Sequence, residues 1–182
     1  MTVPDSSKRR TPLTIIGLGN ELLSDDGVGI RVVRELKTRL APGVAAFEEL
    51  SVGGLELLEY LVGSEQCVII DALVTGRHPA GTAYRFIQKA DRGPVTLTSS
   101  HQIDLAQVLS LAAMLGADLP RTLTVYGIEA ADVTTFHDAC TPAVSQAIPK
   151  VVDAVCRDLE GGERELRTRT GEWQIINDVC SD

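Results

Sequence analysis

"LTIIGLGNELLSDDGVGIRVV", Leu13–Val33, changes rhythm in its middle, and that change sets the fold. Leu13 to Leu18 is a short apolar run of strand length. From Asp26 the apolar residues fall at helical spacing, at Val28, Val32, Val33, Leu36 and Leu40, until Ala41-Pro42-Gly43 stops the helix. A glycine-rich turn between strand and helix usually holds a phosphate. This one is not built for that. The dinucleotide pattern G-x-G-x-x-G is met at Gly17 and Gly19, but Leu22 stands at its third position. No Gly-Lys pair occurs in the chain, so there is no Walker loop either. Asp25 and Asp26 occupy the place where exposed N–H groups and the helix dipole would draw an anion. The turn suits a cation, or a group carrying one. The simpler alternative is that both aspartates only cap the helix.

Outward from that turn, strands and helices alternate. Val44–Leu50 reads as a second strand. Leu55, Leu58, Leu61 and Val62 mark a short helix stopped by Gly63. "CVIIDAL", Cys67–Leu73, is a continuous apolar run interrupted by Asp71, the pattern of a central parallel strand covered on both faces. "TAYRFI", Thr82–Ile87, alternates and predicts an antiparallel edge strand. A long loop to Ser99 leads into a helix carrying Leu105, Val108, Leu109, Ala112 and Leu115. "TLTVYGI", Thr122–Ile128, predicts a last strand. Thr141-Pro142 predicts an N-cap followed by proline at the first helical position. Val144, Ile148, Val151, Val152 and Val155 continue that helix, with Pro149 expected to kink it. The expected fold is α/β: a three-layer α/β/α sandwich on a twisted, mostly parallel sheet of about five strands, one of them an antiparallel edge. One domain spans 12–159, with a flexible arm over 1–11. Residues 160–182 form a polar tail in which Trp173, Ile175 and Ile176 are able to dock.

Composition narrows the function. Of 182 residues 44% are hydrophobic but only 4% aromatic, so the core is aliphatic. A net charge of -8 argues against nucleic acid as partner. Lys8-Arg9-Arg10 reads as a solvated arm and not an export signal. No apolar stretch nears the ~18 residues a membrane span needs. The four cysteines lack CxxC or zinc-ribbon spacing, which predicts reduced thiols in a cytoplasm, with Cys67 and Cys156 as packing residues.

In such a sheet a ligand sits outside the carboxyl ends of the strands, where strand order reverses. Three polar residues are expected there: Asp26 after the first strand, Asp71 at the end of the central one, and His101 at a helix start. With the first and third strands adjacent they converge, and two carboxylates with an imidazole suit a divalent transition metal. Ser99 and Gln102 have capping-box spacing, which puts His101 in the first helical turn. The dipole there disfavours the imidazolium, and neutral imidazole is the ligating form. Glu21 reads as a rim residue, His78 as a turn residue, and His137 with Asp138 as a solvated loop. A cysteine hydrolase at Cys140 and His137, or a triad of Ser24, His101 and Asp71, lacks a supporting signature.

Taken together, "GLGNELLSDDGVGIRVV", "VIIDAL", "PAGTAYRF", "SSHQIDLAQVL" and "LTVYGIEAADV…TPAV" resemble, in order and spacing, the nickel–iron (NiFe) hydrogenase maturation endopeptidases. The resemblance covers roughly residues 13 to 157. It implies a twisted sheet between helix layers and removal of a C-terminal extension from a nickel-loaded hydrogenase large-subunit precursor. It implies nickel brought by that precursor, with no tightly bound cofactor in the free chain, and a monomer in the cytoplasm. It carries the family's nickel-binding acids onto Asp26 and Asp71 and its histidine onto His101, both as metal ligands and as catalytic residues. The glycine turn matches at Gly17, Gly19 and Asn20. Where the family has an acid and a Gly-Thr run after the second strand, this chain has "EELSVGGLELL", with Glu49 in the acid's place and the glycines late, at Gly53 and Gly54. The competing reading is a non-catalytic nickel-binding or assembly module on the same precursor.

Overall fold

The computed structural model describes residues 11–51, 56–89, 100–161 and 172–176, and for 89 and 100–106 the backbone alone. Residues 1–10 of the arm, Gly53, Gly54, Leu55, Ser99 and Cys180 lie outside the described residues, while Thr11, expected as the arm's last residue, opens the first strand. Strands β1 (Thr11–Leu18), β2 (Ala46–Leu50), β3 (Ser64–Leu73), β4 (Ala83–Lys89), β5 (Thr122–Glu129) and β6 (Gln174–Ile175) form one sheet, in the order β2-β1-β3-β5-β4-β6. The helices are α1 (Val28–Arg39), α2 (Leu57–Leu61), α3 (Ser100–Met114) and α4 (Pro142–Gly161), and a 3-10 turn, Ser24–Gly27, precedes α1.

β1 pairs in parallel with β2 and β3, and β3 in parallel with β5. β4 runs antiparallel to β5, as its alternation predicts. It is not the edge, however. β6 pairs antiparallel to β4, Tyr84 against Ile175 and Arg85 against Gln174, so the sheet has six strands where about five were expected. A two-residue strand is too short for any period to mark it, and only contacts with β4 define it. Trp173 packs with Phe86, ring centroids 5.3 Å apart, and edge-on to Tyr84 at 6.2 Å. The Arg85 guanidinium donates to Gln174 Oε1 at 3.1 Å.

Alternation along each strand sends side chains to two separate cores. On one face Ile15, Val68, Ile70, Tyr126 and Ile128 meet Val28, Val32, Val33 and Leu36 of α1 and Val144, Val151, Val152 and Val155 of α4. On the other, Ile16, Cys67, Ile69, Val125 and Phe86 meet Leu57 and Leu61 of α2 and Val108 of α3. This is the expected sandwich. Each fully buried aliphatic or aromatic side chain contributes about 1.5–3 kcal/mol, so the two layers hold the sheet from both sides. Cys67 is buried, as a packing residue should be. α4 runs through Pro149, whose absent N–H removes one helical hydrogen bond without ending the helix.

The glycines of the first turn serve contact between backbones. A Cβ on Gly29 would lie 2.3 Å from the Ile70 carbonyl oxygen and 2.4 Å from that of Leu18. On Gly17 it would lie 2.5 Å from the Gly29 carbonyl oxygen. Helix α1 can therefore press directly on β1 and β3. Gly19 has φ +127°, in the region L side chains rarely adopt, and its Cβ would overlap the Asp26 carbonyl.

Candidate active site

Strand order reverses at β1, which has β2 on one side and β3 on the other. The crevice beyond the carboxyl ends of β1 and β3 is thus the expected ligand site. The 3-10 turn carrying Asp25 and Asp26 follows β1 and touches β3. Neither aspartate acts as a cap. The N-cap of the 3-10 turn is Leu23 and that of α1 is Gly27, and neither residue makes a side-chain capping bond.

The two neighbouring acids have different partners. Asp25 is fully buried and knots the turn to the β5–α4 loop. Its Oδ2 accepts from the N–H groups of Ala131 and Asp132 at 2.9 and 3.0 Å and from the Thr141 hydroxyl at 3.0 Å. Its Oδ1 accepts from the Thr141 N–H at 2.6 Å. Thr141 therefore stands before α4 as expected, but its hydroxyl donates to Asp25. Asp26 is 8% exposed, and its Oδ2 accepts from the Asn20 N–H at 2.7 Å.

Asp71 is 5% exposed near the end of β3, opposite Gly127 of β5. Its Oδ1 accepts from the Ala72 N–H at 2.8 Å. By strand alternation it lies on the face of Cys67 and Ile69, the face covered by α2 and α3. A Cβ on Gly127 would meet Leu73 Cδ1 at 2.2 Å, so Leu73 fills the space a side chain there would take. The His101 backbone lies in the first turn of α3, as expected. The other end of α3 is tied near the start of β3, since the Gly63 N–H donates to the Asp118 carbonyl at 3.3 Å. A helix of fifteen residues is roughly 22 Å long, so its first turn is directed away from that rim. The His101 imidazole is outside the described residues. Among the described side chains no three of His, Cys, Asp or Glu gather as a metal site.

The remaining candidates resolve locally. Glu21 and Glu49 both pair with Arg34, at 2.5 and 2.9 Å, on the exposed rim. His78 Nδ1 lies 2.9 Å from the Tyr84 hydroxyl. His137 Nδ1 accepts from the Ala139 N–H at 3.0 Å. The Cys140 thiol points to the Ser24 carbonyl at 3.6 Å, and burial raises its pKa, which disfavours the nucleophilic thiolate. Ser24 is buried with φ 47°, and its hydroxyl donates to the Ala139 carbonyl at 3.4 Å, which does not present a nucleophile.

Two further acids were not anticipated, Glu129, which is buried, and Asp158, which is half-buried. Glu129, at the carboxyl end of β5, accepts from the N–H groups of Thr75 and Gly76 at 2.8 and 2.7 Å and from the Thr75 hydroxyl at 2.6 Å, pinning the turn after β3. It also accepts from the Tyr84 hydroxyl at 3.2 Å; burial first, and then the Glu129 charge, raise the Tyr84 pKa. Asp158 of α4 binds the Arg85 guanidinium at 2.6 and 2.7 Å and accepts from the Tyr126 hydroxyl. An acid just past a strand was the signal for Glu129, and Asp158 on a helical face had none.

Fold and rim together define a doubly wound α/β protein with carboxylates at its switch point. The family model for hydrogenase maturation proteases (HycI) matches residues 30–158, and this chain belongs to that family: it is a peptidase acting on hydrogenase large-subunit precursors. It is 30% identical over 147 residues to the Hydrogenase 2 maturation protease of Escherichia coli, covering 79% of this chain and 87% of that one. It is 28% identical to a hydrogenase expression/formation protein, HupD, of Bradyrhizobium diazoefficiens, covering 96% and 94%. Among solved structures, the hydrogenase maturating endopeptidase HybD of Escherichia coli superposes with a TM-score of 0.68 at 29% identity, covering 83% of this chain and 94% of that one. The family match begins after Asp26, so it spans the positions of Asp71 and His101 but not the glycine turn.

Proposed function

We propose that this chain removes the C-terminal extension of a nickel-loaded hydrogenase large-subunit precursor and recognises that precursor by its nickel. Asp26 and Asp71 supply oxygen donors and His101 a neutral nitrogen donor. Three protein ligands leave coordination positions open for the precursor's own. The observation that carries the reading is the burial of two carboxylates, from different elements, beside one switch point. Asp25, one residue away, is committed to the fold, so one acid of the pair holds the turn while the other is assigned to the metal.

Hydrolysis adds water across the scissile C–N bond. Either the metal polarises the carbonyl or a carboxylate such as Asp26 takes the water's proton, and both routes require the same trio. The nickel comes and goes with the substrate. The chain acts as a monomer. Free thiols at Cys67, Cys140 and Cys156 support a cytoplasmic site.

Asp26→Asn, Asp71→Asn and His101→Ala should each lower precursor cleavage by about a hundredfold or more while the far-ultraviolet circular dichroism is kept. Full activity in any one removes that residue from the set. Dialysis of the free chain against chelator should strip nickel, and stoichiometric retention would overturn delivery by the substrate.

A further inference from the structure

Phe136 is 78% exposed and Leu22 is 50% exposed, yet both sit on backbone held from several sides. The Leu22 carbonyl accepts from the His137 N–H at 3.0 Å, and the His137 carbonyl accepts from the Ser24 N–H at 2.9 Å. Leu23 and His137 thereby form a parallel bridge. The Asp132 carbonyl accepts from the Asp25 N–H at 2.9 Å, and the Asp25 carboxylate binds the same loop in return. Asp132 Oδ1 closes the loop on itself through the N–H groups of Thr134 and Thr135, 3.0 Å each. The loop read from sequence as solvated is thus bound to the turn that carries Asp26.

We propose that Leu22 and Phe136 form a fixed apolar ridge at the mouth of the site. It seats apolar side chains of the hydrogenase large-subunit precursor next to the bond that is cut. The inference rests on the proposed function and extends it to substrate selection. Apolar side chains on an ordered backbone pay little conformational entropy on binding, so they suit recognition by contact. The occupant is the precursor because the ridge borders the site where that precursor must lie: Leu22 stands two residues before the 3-10 turn of Asp26, and His137, next to Phe136, accepts from the Ser24 N–H that opens this turn. Exposed Met114 and Leu115, at the end of α3 and close to Asp118, lie at the opposite rim and provide the control.

The probe is a nickel-loaded large-subunit precursor that keeps its extension, read for both cleavage and affinity. Leu22→Ser and Phe136→Ser should each raise KM and Kd by about tenfold, with kcat and Tm near wild type. Phe136→Leu should recover most of the loss. The paired control Met114→Ser with Leu115→Ser should change nothing. Unchanged KM and Kd in the Leu22→Ser, Phe136→Ser double variant overturns the ridge, as does an equal effect in the control. If the wild-type chain binds the precursor without shortening it, the proposed function falls and Kd alone judges the ridge. If it neither binds nor cuts, both fall.

Discussion

Asp25 and Asp26 are adjacent in the chain and chemically identical, and the fold gives them separate tasks. Asp25 accepts from three backbone N–H groups and a hydroxyl, all belonging to residues 131–141. Removing it leaves those partly buried donors without their acceptor, at roughly 1 kcal/mol for each such group, the low end of the range. Asp25→Ala should therefore cost about 3 kcal/mol or more, seen as a fall in Tm of roughly 6–12 °C at this chain length. Asp26→Asn keeps an oxygen for the Asn20 N–H and should lose cleavage with a much smaller fall in Tm. If the two variants lost stability equally, the division of labour would be wrong. The sequence marked the pair as acids at a helix start, and so as caps or cation ligands. It did not show that one of them serves partners more than a hundred residues away, since nothing local distinguishes them.

At the scale of elements, the approach of α1 to the sheet positions the rim. Gly29 faces two carbonyl oxygens, on β1 and β3, at distances no Cβ tolerates. Alanine favours a helix over glycine by about 1 kcal/mol, but overpacking against backbone costs about 1–3 kcal/mol or more. Gly29→Ala should therefore lower Tm. It should also weaken cleavage, because α1 cannot lift from the sheet without moving Asp26 three residues earlier. A stabilised, fully active Gly29→Ala would show that the contact is slack. The glycines were visible in sequence, where they invited a phosphate reading that Leu22 and the acids argued against. Their use, a helix lying directly on two strands, needed β1 beside β3, a premise that the sequence does not establish and the sheet order supplies. Strand β6 was hidden, because two residues carry no period and its partner lies about ninety positions earlier.

Across the whole molecule, burial holds protons on groups that unfolding would release. Burial first, then the charge of Asp158, raises the Tyr126 pKa well above 10, and burial raises that of Cys67 above 9. Above these ordinary values the unfolded chain gives up protons that the folded chain keeps, so stability falls as pH rises. Tm should be level between pH 8 and 9, begin to fall above pH 9 as the thiols of the unfolded chain, Cys67 among them, ionise, and fall more steeply above pH 10 as Tyr126 and Tyr84 join. Tyr126→Phe should start from a lower Tm, having lost its hydrogen bond to Asp158, and should show a smaller added slope above pH 10, the remainder belonging to Tyr84. Differential scanning calorimetry from pH 8 to 11 reads both features. An identical slope in wild type and variant would exclude Tyr126 as a contributor.

Apolar period, glycine placement and acids at strand ends determined by themselves the layered fold and the strand that is central, and the resemblance of whole motifs pointed to the family. These are local properties, written in the spacing of residues within one element. Tertiary structure alone decided that Asp25 is a knot, that Glu129 and Asp158 are staples, that β4 is covered by β6, and that the Phe136 loop is bound to the turn that carries Asp26. Each of these depends on groups far apart in the chain meeting away from water, where an unpaired charge is costly and a paired one is held, and no spacing along a sequence records that meeting.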